Sequence, residues 1–123
     1  MNRALTALLA ALGALALVGG IAAAHEEKFE TRVTLKTKDP GAFRGKVKAG
    51  GGCREGRTVK VYHLLEYGGE RDLVGSSTSA PSGAWEVTLN SPPEKGNYQA
   101  IAKKLTIGDH KCKRGASKVK SVK

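Results

Sequence analysis

Phe43-Arg44-Gly45-Lys46-Val47-Lys48-Ala49 sets Phe43, Gly45, Val47 and Ala49 on one side of an extended backbone and Arg44, Lys46 and Lys48 on the other. Successive side chains of a strand point to opposite faces, so this stretch predicts a strand with one buried and one solvated face. Asp39-Pro40-Gly41 precedes it and Gly50-Gly51-Gly52 follows, residues that turn or loosen a chain. The same alternation recurs on both sides. Thr31, Val33 and Leu35 oppose Glu30, Arg32, Thr34 and Lys36, while Val59, Val61, His63 and Leu65 oppose Lys60, Tyr62 and Leu64.

Further along, Gly68-Gly69 closes the third run, Asp72 to Ser79 reads as a short polar strand, and Pro81-Ser82-Gly83 turns the chain. Trp85, Val87 and Leu89 face inward. Pro92-Pro93 confines the loop from Asn90 to Gly96 to an end of the sheet, because proline donates no ladder hydrogen bond. Tyr98, Ala100 and Ala102 form the next inner face, Gly108 to Gly115 reads as a basic loop holding Cys112, and Ser117, Val119 and Ser121 oppose Lys118 and Lys120 in the last strand. About seven short antiparallel strands separated by turn signals predict an all-β, two-sheet β-sandwich of the Ig-like or transthyretin-like kind. One Trp, three Tyr and two Phe leave its core thin in aromatic residues.

Residues 1–24 predict a helical signal peptide that precedes this domain. Arg3 supplies the positive end, Ala4 to Val18 the apolar stretch, and Ala22-Ala23-Ala24 the cleavage pattern. The expected product, residues 25–123, is one exported domain, with no further apolar stretch to insert into a membrane. Removing Arg3 takes one cation from the 21 Lys and Arg and nothing from the 11 Asp and Glu, so the product remains strongly basic. Such charge favours an anionic cell-surface polymer or another secreted protein as partner. Specific nucleic-acid recognition is disfavoured, because few aromatic residues fall on the outer faces for base stacking.

Cys53 and Cys112 are the two cysteines, and export would expose both to an oxidising compartment. One intramolecular disulfide is the leading expectation, worth about 4 kcal/mol by loop-closure entropy. A reactive thiol and an intermolecular bridge are the competing readings. A zinc site is disfavoured because the paired ligand spacing is missing.

The order Gly45-x-Val47, Val59-x-Val61, Thr78, Gly83-x-Trp85 and Gly96-x-Tyr98-x-Ala100 resembles the carboxypeptidase regulatory-like, or transthyretin-like, β-sandwich family of secreted proteins. The motifs run over residues 42–103, with Ser79 where the family usually carries an acidic residue. The resemblance implies that residues 42–123 are such a module, preceded by an N-terminal segment and first strand at 25–41. It also implies a binding or structural role without catalysis. Relatives that hydrolyse 5-hydroxyisourate end in Tyr-Arg-Gly-Ser, whereas this chain reads Lys120-Ser121-Val122-Lys123, so that activity is not implied.

The residues point to chemistry at two places. Arg44, Lys46, Lys48, Lys113, Arg114, Lys118 and Lys120 form the candidate anion-binding patch, since alternate residues of a strand face recur at about 7 Å. His25, as a new N-terminal residue, would offer an amine and an imidazole together to copper, which makes a copper carrier the alternative function. No cofactor is expected, and no catalytic residue is assigned.

Overall fold

The computed structural model describes residues 26–66 and 69–123. The expected signal peptide and His25 lie outside the described residues. Twelve strands and no helix occupy the described chain. A four-stranded sheet is centred on β4 (Ala42–Lys48), which pairs along one edge with β7 (Ala84–Thr88). Along its other edge run β2 (Arg32–Val33) and β3 (Lys36–Lys38). A five-stranded sheet places β5 (Thr58–Leu64) between β6 (Arg71–Thr78) and β8 (Gly96–Ala102), and β8 then carries β11 (Gly115–Ala116) and β12 (Lys120–Val122). A small third sheet joins β1 (Glu27–Phe29), β10 (His110–Cys112) and β9 (Leu105–Ile107).

The two larger sheets share one core, an arrangement consistent with a β-sandwich. Val33, Phe43, Val47, Trp85 and Val87 from one layer pack on Val59, Val61, Tyr98, Ala100 and Ala102 from the other. The Phe43 and Tyr98 rings meet at 4.8 Å, and His63 stacks on the other side of the layer contact at 4.6 Å from Tyr98. Tyr98 keeps its hydroxyl paired by donating to the Glu94 carbonyl at 2.6 Å. Burial, and after it the Glu94 carboxylate, raise the Tyr98 pKa, since both penalise a phenolate.

The inner faces of β4, β5, β7 and β8 are those the alternation predicts. The edges differ. β2 and β3 occupy a single row beside β4, and β11 and β12 a single row beside β8, so the two layers hold seven rows built from more strands. Each row breaks where a side-chain hydroxyl displaces the ladder. The Lys46 amide donates to Thr34 Oγ1 at 2.8 Å, and the Ala100 amide to Ser117 Oγ at 2.9 Å. In the last row the break separates residues that the alternation groups on one face: Ser117 is buried, but Val119 is 53% exposed and Val122 packs on the core instead.

Two further expectations are corrected. The segment read as a basic loop from Gly108 to Gly115 contains β10, which pairs with β9 in a hairpin. The arrangement is also not wholly antiparallel, because β1 runs parallel to β10. The disulfide between Cys53 and Cys112 ties β10, the strand shared by both pairings, to the loop before β5.

Gly45 shows how closely the layer is drawn. A Cβ there would overlap the Thr34 carbonyl oxygen and approach Trp85 Cζ2 to 2.9 Å. Gly45→Ala is therefore expected to destabilise the fold by about 1–3 kcal/mol through overpacking. A urea unfolding midpoint unchanged from wild type would contradict this. Gly83, in the turn before β7, has φ of +89°, and a Cβ would run into the Val47 carbonyl oxygen. Its own carbonyl accepts from the Val47 amide at 2.8 Å, so the turn is hydrogen-bonded onto β4.

Candidate anion-binding face

The outward face of β4 is a line of cations. Arg44, Lys46 and Lys48 alternate with the buried Phe43 and Val47, so all three are exposed. Cross-strand pairing widens the line. Lys36 of β3 lies opposite Arg44, and Arg32 of β2 lies opposite Lys48. Directly opposed side chains on one sheet face stand about 5 Å apart at Cβ. The one carboxylate in this array is Glu86, opposite Arg44, and it is held by Lys38 at 3.1 Å. Among the described residues, Arg32, Lys36, Arg44, Lys46 and Lys48 make no ion pair.

Lys36, Arg44, Lys46 and Lys48 line an open cleft of about 760 Å³ bordered by β3, β4, β7 and the Ser77–Thr78 end of β6. Trp85 also lines it, and its buried Nε1 has no hydrogen-bond partner among the described residues. A second cleft of about 610 Å³ continues around the sandwich edge, where Arg32 and Lys48 meet Lys118 and Lys120 across the seam between β2 and the broken β11–β12 row. Lys48 belongs to both. The two clefts therefore make one basic band with an apolar strip of Val33, Leu35 and Val119 inside its second half.

Of the seven patch residues expected from sequence, Arg44, Lys46, Lys48, Lys118 and Lys120 come together in this band. Lys113 does not join them: its Nζ donates to Glu30 at 2.6 Å beside the small sheet. Arg114 sits on the outer face of the other layer with Lys60, Lys103 and Lys104. Lys36 and Arg32, which the patch lacked, are on the polar side of the first alternating run, and that run's pairing with β4 brings them in. Among the described residues no cluster of His, Cys, Asp and Glu could hold a metal. His110 Nδ1 is in hydrogen-bond contact with the Gly51 carbonyl at 2.9 Å, and the half-buried His63 is stacked on Tyr98.

No protein-family model, no curated protein and no solved structure matches this chain. No helix among the described residues is long and apolar enough to cross a membrane.

Proposed function

We propose that this chain is an exported, non-enzymatic β-sandwich module that holds an anionic cell-surface polymer along the basic band. The observation that carries the reading is the row of cations on β4 and its neighbours, with Glu86 already engaged by Lys38. Cations repeating at about 7 Å along a strand repel one another within the Debye length of about 10 Å at 0.1 M salt. A polymer with regularly spaced carboxylates or sulfates relieves that repulsion. The buried Trp85 indole offers no exposed ring for stacking, which favours a saccharide or similar polyanion over nucleic acid. Export is supported by the disulfide, since such bridges persist chiefly in oxidising compartments. The transthyretin-like assignment is supported by the ordered Gly45, Val59, Gly83, Trp85 and Tyr98 motifs.

The test is binding to immobilised heparin at 0.15 M salt. Replacing Lys36, Arg44, Lys46 and Lys48 by Gln is expected to weaken it at least about tenfold, a change of 1.4 kcal/mol. Replacing Lys28, Lys95, Lys111 and Lys123 removes the same charge elsewhere and is expected to cost far less. Equal losses from the two variants would reduce the band to ordinary net charge and overturn the reading.

A further inference from the structure

The second layer carries its own cation cluster on the face turned away from the band. Lys60 and Tyr62 of β5 alternate with the buried Val59 and Val61, so they point outward, and Lys60 lies opposite Ile101 of β8. Ile101 is thus on the outer side of its strand, yet it is only 5% exposed. It forms the floor of a cleft of about 360 Å³ whose rim is Lys60, Arg71, Lys103, Lys104 and Arg114. Among the described residues no Asp or Glu lines this cleft. Arg71 lies over the Tyr62 ring with its guanidinium carbon 4.1 Å from the ring centre, which fixes one cation in place at the rim.

We infer that this cleft is a second anionic-polysaccharide site, and that the domain bridges two polymer strands, one on each outer face of the sandwich. The inference rests on the polyanion reading above. The first cleft is also bordered by Ser77 and Thr78 of β6, but its cations stand on β3 and β4 of one layer and those of the second cleft on and beside β5, β6 and β8 of the other, so the two cation groups face away from each other across one core. Two stacked sheets about 10 Å apart, with side chains beyond both, stand between the two cation groups, so a saccharide seated along one outer face does not lie on the other. Arg71 already covers a face of Tyr62, which leaves the ring poorly placed to stack on a base. Carboxylates or sulfates instead meet the rim cations above the Ile101 floor. Two sites per molecule convert binding into cross-linking once each engages a different chain.

Titration calorimetry with a heparin octasaccharide, together with light scattering from full-length heparin, tests this. Wild type is expected to bind about two octasaccharides and to form scattering particles that dissolve in excess heparin, as a bivalent cross-linker does. Arg71→Gln/Lys103→Gln/Lys104→Gln is expected to bind about one, to keep its hold on immobilised heparin, and to lose the particles. These side chains are exposed, and an unchanged unfolding midpoint confirms that the variant is folded. A stoichiometry of one in wild type, or scattering that survives in the variant, overturns the bridge while leaving the first site standing. Absence of any heparin binding in wild type defeats the polyanion reading itself. Tighter binding of a single-stranded oligonucleotide than of the octasaccharide, lost in the same variant, overturns the assignment to polysaccharide.

Discussion

Arg57→Ala is expected to lower the free energy of unfolding by about 3–5 kcal/mol, chiefly by stranding buried carbonyl groups and leaving a cavity. Arg57 is fully buried, yet among the described residues no carboxylate pairs with it. Its guanidinium is instead satisfied by oxygens that carry only partial charge. Nη1 donates to the Cys53 carbonyl at 2.9 Å and to Thr31 Oγ1 at 3.0 Å. Nη2 donates to the carbonyls of Lys103 at 2.7 Å and Lys113 at 2.8 Å, while Nε reaches Lys103 again at 3.1 Å. Desolvation lowers the Arg57 pKa, the direction expected for a cation withdrawn from water. The loop that delivers it is itself locked: the Arg57 amide donates to Ser79 Oγ at 2.9 Å, and that hydroxyl donates to the Arg54 carbonyl at 2.6 Å.

Comparison with Arg57→Met separates the two costs. Methionine fills much of the volume but supplies no donor, so it should recover the cavity contribution and leave the rest. Arg57→Lys keeps a charge with a compact ammonium, which cannot span the same oxygens as a planar fork, and an intermediate loss is expected. Urea unfolding with the disulfide intact measures all three. Losses below about 1 kcal/mol for both Ala and Met would mean that water replaces the guanidinium at little cost and that the network is not what holds this end together.

Arg57 also marks where sequence reading stops. The face of β4 is legible because Phe43, Gly45 and Val47 alternate strictly with cations, and nothing in the fold displaces that order. An arginine shortly after Gly51-Gly52 and Gly56 reads as a solvated loop residue, because its acceptors come from Lys103 and Lys113, far along the chain. The break at Ser117 is hidden for a related reason. Serine fits the inner face of a continuous alternating strand as well as it fits a ladder interruption, and only its bond to the Ala100 amide decides between them. The candidate site is legible strand by strand but not as a surface. Lys48 and Lys118 belong to separate runs in the sequence, and the seam between layers makes them neighbours. Lys60 and Tyr62 are readable as outward-facing, whereas their grouping with Arg114 depends on how β8 is bordered.

Replacing Cys53 and Cys112 together by Ala is expected to cost about 4 kcal/mol, because the bridge closes a long loop in the unfolded chain. The two residues are separated by 59 positions, their Cα atoms lie 5.5 Å apart, and both are buried. That loss should not fall evenly. β10 is tied to the rest through Cys112, and the small sheet depends on β10: the Lys113 amide donates to the Phe29 carbonyl at 3.0 Å, and Phe29 packs on His110 with ring centres 5.1 Å apart. Hydrogen exchange in β1, β9 and β10 should accelerate well before that in β4, β5 and β8, whose side chains form the shared core. The bridge also acts with Arg57, which holds the carbonyls of Cys53 and of Lys113, the residue after Cys112. Once the covalent tie is gone, part of what Arg57 holds has already loosened. The triple variant Cys53→Ala/Cys112→Ala/Arg57→Met is therefore expected to lose less than the sum of the separate losses, by on the order of 1 kcal/mol. Strict additivity in that cycle, or uniform acceleration of exchange across all sheets, would show the bridge acting on the unfolded chain alone and would defeat the idea that both staples secure one end of the sandwich.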